Sequence, residues 1–445
     1  MMKKLIFLCT LLLACTGRAT AGHVLLEGWL KSSALYPGTQ HKFWVSVPDA
    51  YPGGQPACLF VVLDGVNYRA PEVFDTLMAE GRMPTTIGVY VQPGRIADAR
   101  GEVLRYNRSN EFDMTDGRFA AFLEQELLPA AQSLRTPDGR SLKFSSRAAD
   151  RAIMGASSGG IASFNAAWQR PDLFQRVFSA VGTFVPFRGG NDLQAFVRKT
   201  EPLPLRIFLQ DGTEDTWNPL FGSWYEANRM LESALLFSGY ALKCDWGVSG
   251  HNGRRAAAIL KEVAAWLWEG WPAPVAVGTT QNNLLQPMLL AGEDWTVSHL
   301  DVKAVRSPRG KYDAVYPDGT LAVRRHKGSN CLWQYILSDK GKPRYGQRFY
   351  WLHNMDNTLL DVGPMAFDAQ GNLFVTTAIG IQICDQNGRV RGILRYPAAM
   401  QGLPVAFRIM DGQLALADRS GRVYVRRMQV RAAEKGVRPA SQGQG

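Results

Sequence analysis

Apolar residues in the first 270 positions of the chain form short continuous runs that alternate with longer helical patterns. The runs Cys58 to Leu63 and Thr86 to Val91 are typical of strands buried on both faces of a parallel sheet. Between Gly117 and Leu134 the apolar residues recur at helical spacing and predict an amphipathic helix. This alternation predicts an α/β fold, a mainly parallel, doubly wound sheet with helices on both faces. The same patterns predict strands at Phe43 to Val47, Arg151 to Met154, Leu205 to Gln210 and Tyr240 to Trp246, and helices at Gly160 to Trp168 and Arg254 to Trp268.

The pattern changes after Trp271-Pro272, where helical spacing gives way to turns followed by short strands. Three such units have turn glycines at Gly319, Gly371 and Gly412, which are 52 and 41 residues apart, a period typical of propeller blades. The segment has room for only about three blades, so we expect a smaller all-β second domain, a partial propeller. The predicted units are a leader (1–21), an α/β domain (22–271), a linker (272–286), the all-β domain (287–430) and a basic tail (431–445).

The N-terminus has the pattern of an export signal. Lys3 and Lys4 precede the apolar stretch Leu5 to Ala14, and the small residues that end at Ala21 fit a cleavage site. A second pattern, which ends at Cys15, is similar to a lipoprotein box, and lipidation of Cys15 is the alternative. Either route predicts an exported protein, periplasmic or secreted, that is held at a membrane only if Cys15 is lipidated.

Charge and cysteine content narrow the class of protein. The formal net charge of +11 falls to +8 without the three leader cations, and no nucleic-acid-binding motif accompanies it. Cleavage at Ala21 leaves four cysteines, whose spacing matches no zinc site, in a compartment that permits disulfides. Cys331 and Cys384 are candidates for a bridge within the second domain, Cys58 and Cys244 lie in separate predicted strands, and four free thiols are the alternative.

The most informative motif is Gly155-Ala156-Ser157-Ser158-Gly159, between a predicted strand and a predicted helix. A Gly-x-Ser-x-Gly on such a turn is the nucleophile elbow of α/β-hydrolases. Small residues on either side let the strand and the helix approach closely, and the serine hydroxyl is raised above the sheet at a helix N-terminus that favours negative charge. Ser157 is therefore the candidate nucleophile.

A nucleophile of this kind needs an acid and a histidine base that follow it in the chain. Of the six histidines, only His251 lies between Ser157 and the linker, in a glycine-rich turn after the last predicted strand of the sheet. The turn after the preceding strand offers three carboxylates, of which Asp215 is the first choice and Glu214 and Asp211 are the alternatives. Such an acid orients the imidazole and stabilises its charged form.

Four stretches between Gly22 and Trp271 resemble the enterochelin-esterase-like family, whose relatives include feruloyl esterases, formylglutathione hydrolase and the mycolyltransferases. The four stretches are Leu59 to Gly65, Asn107 to Asp113, the serine motif, and the pair Leu209 to Asp215 with Ser249 to His251. The resemblance implies that Asp215, in a Gly-Thr-x-Asp turn, is the acid. It also implies an oxyanion hole formed by the backbone N–H groups of Ser158 and Val66.

Four further residues are candidates for substrate binding. Arg108 and Glu111 lie in a loop that, by the same resemblance, borders the site, and the alternative is that they fix this loop through ion pairs. Trp217 and Trp224 follow the acid turn and would form an aromatic wall for a sugar or phenolic ring, with a place in the core as the alternative.

The stretch from Phe367 to Val390 resembles the gluconolactonase-like six-bladed propeller family. Too few blades remain for a closed ring, and the metal-ligating Asp of that family is missing at Gly363-Pro364-Met365, although Asp361 lies nearby. We therefore expect no lactonase activity, no metal and no cofactor, and a structural or substrate-positioning role. Open blade edges would be covered by the first domain or by self-association.

These patterns favour an exported serine carboxylic-ester hydrolase that removes acyl groups, of feruloyl or acetyl type, from carbohydrate esters through an acyl-enzyme. Two alternatives stay open. One is an enterochelin-type siderophore esterase or an acyltransferase that uses the same machinery. The other is an inactive glycan-binding module.

Overall fold

The structure, a computed structural model, describes residues 22–306, 310–329, 331–355, 361–400 and 402–434. The predicted leader, with Cys15, and the predicted tail beyond residue 434 lie outside these ranges. An eight-stranded sheet with helices occupies the first part of the chain, the α/β part. Three smaller sheets occupy the rest, the strand-rich part.

The large sheet is mostly parallel. Its strands, in chain order, are β1 (His23–Leu30), β2 (His41–Pro48), β3 (Cys58–Leu63), β4 (Thr86–Val91), β5 (Arg151–Ala156), β6 (Arg176–Ala180), β7 (Arg206–Gly212) and β8 (Ala241–Gly247). Their order across the sheet is β1-β2-β4-β3-β5-β6-β7-β8. The pairs β1–β2 and β2–β4 are antiparallel, and the other five pairs are parallel. The carboxyl ends of β3 to β8 therefore meet at one edge, where open α/β sheets bind ligands.

Helices cover both faces of this sheet. They are α1 (Ala70–Ala79), α2 (Arg108–Phe112), α3 (Arg118–Phe122), α4 (Leu128–Gln132), α5 (Ser158–Gln169), α6 (Leu193–Lys199), α7 (Trp224–Phe237) and α8 (Arg254–Trp268), with 3-10 turns at Ala148–Asp150 and Gly190–Asp192. Leu59 and Val61 of β3 join the core beneath α3 to α7, whereas Phe60 and Val62 join the core beneath α1 and α8. Because both faces are buried, β3 is apolar at every position.

The helix predicted from Gly117 to Leu134 is interrupted in the structure. A π turn at Leu123–Leu127 separates α3 from α4. Pro129, at the start of α4, has no N–H to donate, and its ring crowds the carbonyl four residues back. The helix widens just before this proline, as helices do where the regular hydrogen-bond ladder is broken.

Two short hairpins follow the carboxyl ends of parallel strands. The first hairpin pairs Arg95–Ala97 with Val103–Tyr106 and comes after β4. The second hairpin pairs Trp217–Asn218 with Gly222–Ser223 and comes after β7. Both therefore lie at the edge of the sheet where the candidate nucleophile is located.

The strand-rich part contains three four-stranded antiparallel sheets. Its strands are β9 (Thr296–Ser298), β10 (Ala314–Val315), β11 (Leu321–Arg324), β12 (Cys331–Leu337), β13 (Pro343–Trp351), β14 (Val362–Phe367), β15 (Leu373–Thr377), β16 (Gly380–Cys384), β17 (Val390–Leu394), β18 (Ala406–Met410), β19 (Gln413–Ala417) and β20 (Val423–Arg427), with the short helix α9 (Val302–Val305) and a 3-10 turn at Gln286–Met288. The sheets comprise β10 to β13, β14 to β17, and β18 to β20 with β9 added beside β20.

The turn glycines found in the sequence mark one hairpin in each of these sheets. Gly319, Gly371 and Gly412 each have a φ of 78° and lie between the first two strands of the β10, β14 and β18 sheets. This left-handed conformation is the reason that glycine recurs at these positions. The arrangement of the three sheets as part of a propeller stays a prediction.

The predicted linker packs against both parts of the chain. Within it, the buried side-chain amide of Asn282 donates to the carbonyl of Arg198 in α6 at 3.2 Å and to that of Arg391 in β17 at 2.7 Å. Leu284 and Leu285 enter the core of the strand-rich part. The segment therefore fastens the two parts together rather than only connecting them.

Buried charges are paired across the contact between the two parts. Glu201, after α6, forms an ion pair with Arg426 in β20 at 2.6 Å and accepts the backbone N–H of Arg395 at 2.8 Å. The guanidinium of Arg395 donates to the carbonyls of Trp168 and Gln169 at the end of α5. Charges removed from water are tolerated only when they are compensated in this way.

Three further observations concern the cysteines, the length of the helices and the metal-ligating side chains. The four cysteines from Cys58 onward are free thiols, so Cys331 and Cys384 are not bridged. No helix within the described ranges is long and apolar enough to cross a bilayer. Across the same ranges, His, Cys, Asp and Glu side chains form no group of three suited to hold a metal ion.

Removal of the Glu201 carboxylate is expected to destabilise the protein strongly. Glu201→Ala leaves the guanidinium of Arg426, itself buried, without its counter-charge, which costs about 3–5 kcal/mol for a buried pair. Glu27→Ala is the matched control, because the Glu27 pair with Lys42 is exposed and such pairs contribute less than about 1 kcal/mol. Denaturant unfolding measures both, and equal losses would contradict the role given to Glu201.

Candidate active site

The strand–helix turn at Ser157 is under steric constraint. A Cβ added to Gly155 would lie 2.5 Å from the backbone oxygen of Gly159, so the close approach of β5 and α5 requires glycine. Ser157 itself has φ 58° and ψ −121°, a strained conformation for a residue with a side chain. Its N–H donates to the carbonyl of Ala180 in β6 at 2.9 Å, which anchors the turn to the neighbouring strand.

Loops that follow β5, β7 and β8 at the same edge of the sheet bring Ser157, Asp215 and His251 together. The Nε2 atom of His251, after β8, is 2.8 Å from Ser157 Oγ. Its Nδ1 atom is 2.6 Å from Asp215 Oδ1, after β7. Because Nδ1–H donates to the carboxylate, Nε2 is left to accept the serine proton. Such a series of hydrogen-bonded side chains turns a hydroxyl into a nucleophile at neutral pH.

The three carboxylates of the acid turn have different places. Asp215 contacts His251, Glu214 is exposed, and Asp211 is fully buried behind Asp215. The second oxygen of Asp215, Oδ2, is buried and has no other hydrogen-bond donor among the described residues. A protonated Asp211 is the group that can donate to it.

Burial and the adjacent Asp215 raise the pKa of Asp211 to about 9. Asn228 and the N–H of Gly212 both donate to its oxygens, at 2.8 and 2.7 Å. Burial also acts on Asp215, but hydrogen bonds from His251 and Asp211 lower its pKa below the ordinary value. One carboxyl of the pair is thus neutral while the other holds the negative charge next to His251.

Both backbone segments proposed for the oxyanion hole lie beside Ser157 in the fold. Ser158 is the first residue of α5, where N–H groups have no partner within the helix. Val66 follows Asp64 and Gly65, whose φ values of 66° and 91° turn the chain sharply after β3. Val66 is partly exposed, as a group that meets substrate must be.

Arg108 connects these two segments. Its guanidinium binds both carboxylate oxygens of Asp64 at 2.7 and 2.9 Å and the carbonyl of Ala156 at 3.2 Å. Asp64 precedes Val66 by two residues, and Ala156 immediately precedes Ser157. The Nε and Nη2 donors of Arg108 are engaged within the protein, so these contacts favour the alternative in which it fixes the loop.

The prediction that Glu111 binds substrate is wrong. The side chain is fully buried and accepts from Gly94 N–H at 3.0 Å and from the amide of Asn107 at 2.8 Å, with His41 Nε2 at 3.1 Å. No part of it reaches the surface near Ser157. The ion-pair alternative therefore describes Glu111, which ties the loop before α2 to β2.

The two tryptophans occupy different positions. The Trp224 ring packs edge-on against His251 at a centroid distance of 6.0 Å, and its Nε1–H donates to Thr183 Oγ1 at 3.3 Å. Trp217 lies on the second hairpin and is mostly exposed. Trp224 therefore supports the imidazole, and Trp217 is free to meet a ligand.

Thr183 is a site residue that the sequence reasoning missed. Its Oγ1 is 3.3 Å from Ser157 Oγ, and its N–H donates to the Ser157 carbonyl at 3.2 Å. The available signal was its position three residues after β6, the strand next to that of the serine. Thr183 offers the hydroxyl of Ser157 a second hydrogen-bond partner besides His251.

A family model described as "Putative esterase" matches residues 32–263. No curated protein sequence matches the chain. Among solved structures the chain is similar to the enterobactin esterase from Shigella flexneri (23% identity, TM-score 0.41), covering 55% of this chain and 59% of that one. It is also similar to a ferulic acid esterase (17%, TM-score 0.42, covering 56% and 98%). A further similar structure is S-formylglutathione hydrolase from Staphylococcus aureus (11%, TM-score 0.38, covering 56% and 97%).

The proton held by Asp211 should make stability depend on pH. Because the folded-state pKa is raised from about 4 to about 9, folding takes up a proton between these values, and stability falls as pH rises through this window. The slope reaches at most about 1.4 kcal/mol per pH unit. In Asp211→Asn, which keeps a donor toward Asp215, we expect this slope to disappear. Denaturant unfolding from pH 5 to 9 measures it, with Glu214→Gln as the control, and an unchanged slope in Asp211→Asn would show that Asp211 is ionised.

Proposed function

Because the chain belongs to the "Putative esterase" family, we propose that it is a serine carboxylic-ester hydrolase that works through an acyl-enzyme. The observation that carries this proposal is the hydrogen-bonded chain from Ser157 through His251 to Asp215, with distances of 2.8 and 2.6 Å. An imidazole held between a strained serine and a buried carboxylate has the arrangement that acyl transfer requires.

In the acylation step, Ser157 Oγ attacks the ester carbonyl while His251 Nε2 takes its proton. The carbonyl oxygen becomes an oxyanion, which the N–H groups of Ser158 and Val66 stabilise. His251, now charged and held by Asp215, returns the proton to the leaving alcohol as the C–O bond breaks. The product of this half-reaction is an ester of Ser157 and the free alcohol.

In the deacylation step, water replaces the alcohol. His251 removes a proton from the water, which attacks the acyl carbonyl, and the same two N–H groups stabilise the second oxyanion. Collapse of this intermediate returns the proton to Ser157 and releases the carboxylic acid. His251 is solvent-exposed, so water reaches the acyl-enzyme directly.

For the substrate, we propose acyl esters of carbohydrates, of feruloyl or acetyl type. The support is the exposed indole of Trp217, two residues from Asp215, because a flat aromatic surface stacks on sugar or phenolic rings. The site residues lie at an open edge of the sheet rather than in a closed cavity. A substrate larger than the ester itself therefore has room to extend away from Ser157.

Loss of either reacting side chain should abolish ester hydrolysis. We expect Ser157→Ala and His251→Ala each to lower kcat on p-nitrophenyl acetate by about 10³-fold or more, because each removes a group that bonds to the reacting atoms. Stopped assays of the purified chain on p-nitrophenyl acetate and methyl ferulate measure this, and the ratio of the two rates reports on the acyl group.

Two exposed residues serve as matched controls. Ser32→Ala and His299→Ala change the same side-chain types far along the chain from the site, and we expect both to retain the wild-type rate. Turnover that survives in Ser157→Ala would contradict the serine mechanism. Turnover that is absent from the wild type on both esters would contradict the proposed substrates.

We propose further that the protein is exported. The support is the leader pattern at residues 1–21, in which cations precede an apolar stretch and small residues precede Gly22. Cell fractionation followed by mass spectrometry of the N-terminus tests the proposal. The expected product is extracytoplasmic and begins at Gly22, and a lipidated product that begins at Cys15 would place the protein at a membrane. A cytoplasmic chain that retains Met1 would contradict export.

A further inference from the structure

Exposed apolar side chains are concentrated around the candidate site. Five of the six most exposed large apolar side chains among the described residues lie on loops next to it, at 67 to 81% exposure. We call them the apolar rim. They are Leu104, Tyr106, Trp217, Leu220 and Val248. Soluble proteins rarely leave apolar side chains clustered in this way unless the surface binds something.

Chain connectivity holds three of the rim side chains close to residues of the site. Tyr106, in the first hairpin, is two residues from Arg108, which binds the carbonyl before Ser157. Trp217, in the second hairpin, is two residues from Asp215, and Val248 is three residues from His251. Since a residue spans at most about 3.5 Å of extended chain, each lies within about 10 Å of a residue of the site.

The second hairpin is also fastened to the site at its other end. It leads into Trp224, whose ring packs against His251. Phe221 of this hairpin packs edge-on against Phe187 at a centroid distance of 5.2 Å. The turn that carries Leu220 is therefore held in place by this aromatic contact. The exposure of Leu220, the highest in the rim, is therefore a property of a supported loop.

The rim has the composition of a surface that meets lipid. Trp and Tyr side chains, with an apolar body and a polar tip, are favoured at the boundary between water and acyl chains. Leu104, Leu220 and Val248 supply purely apolar groups beside them. A soluble polysaccharide can stack on Trp217, but it gains nothing from these aliphatic groups, whose burial requires an apolar partner.

Charge near the rim selects the type of lipid. Arg69, Arg105 and Arg254 are exposed on the loops around the site and form no ion pair within the described residues. The exposed carboxylates on the same loops are Glu102 and Glu214. The excess is basic, as is the chain without its predicted leader at +8, and such a surface is attracted to anionic headgroups.

We propose that the apolar rim docks on an anionic lipid surface and presents Ser157 to esters held there. This inference rests on the proposed function and narrows its substrate class to acylated glycolipids, in which the carbohydrate ester is anchored by an aliphatic chain. Docking brings the open edge of the sheet against the surface, so that the anchored ester reaches Ser157 without leaving the lipid.

A paired substrate assay tests this class. Acetate release is compared between hexadecyl 6-O-acetyl-glucoside, embedded in vesicles of equal phosphatidylglycerol and phosphatidylcholine, and dissolved methyl 6-O-acetyl-glucoside. Leu104→Ser/Leu220→Ser removes two rim side chains. Val297→Ser/Tyr345→Ser is the matched control, because it removes two similarly exposed apolar side chains from the strand-rich part. Co-sedimentation with the vesicles measures binding for each chain, with circular dichroism to verify folding.

We expect the rim variant to lose at least tenfold in vesicle binding and in the ratio of embedded to dissolved substrate turnover, while the control stays within twofold of wild type. Equal binding by the rim variant and the wild type would overturn the proposal, even if dissolved esters are still cleaved. Vesicle binding with no turnover of either ester would instead overturn the proposed function and, with it, the substrate class. A wild-type dimer that dissociates in the rim variant would show that the rim is an interface between copies.

Discussion

The contact between β5 and α5 at Gly155 and Gly159 is the constraint on which the candidate site depends. With strand and helix held this closely, the chain between them has one route, and Ser157 takes a positive φ to follow it. The direction of Oγ is then set by backbone rather than by a mobile side chain. The loops after β3, β7 and β8 position Val66, Asp215 and His251 around this fixed Oγ, which keeps the reacting atoms aligned.

The parts of this site that were predictable are those set by local sequence. The motif at Ser157 needs small residues next to a strand, and His251 stands alone as a histidine between that motif and the linker. Runs such as Cys58 to Leu63 identify buried strands because both their faces are covered. The existence of the predicted strands and the meeting of Ser157 with His251 follow from these facts and the order of the elements, whereas β1 and β6 were not predicted and several strand ends differ by one or two residues.

Long-range contacts account for what was not predicted. Thr183 carries no motif, and its role depends on the position of β6 beside β5, a pairing that sequence spacing does not reveal. Asp211 and Asp215 are both buried carboxyls of one turn, and the hydrogen bond from His251, which comes from a distant loop, decides that Asp215 holds the charge and Asp211 the proton. Glu111 has the type of a ligand-binding residue but is enclosed by Gly94, His41 and Asn107, which come from separate segments.

The pairing of β9 with β20 joins residues that are 129 positions apart, as Thr296 and Val425 are. Every strand of the large sheet is made by residue 247, so during synthesis these strands are complete for roughly 9 to 35 s before β20 is made, at ordinary rates of about 5–20 residues per second. During that interval the Glu201 carboxylate has no Arg426 with which to form its ion pair. A chain that ends before β20 keeps an uncompensated Glu201 carboxylate and leaves an edge of β19 unpaired, so a truncation of this kind weakens both parts of the protein at once.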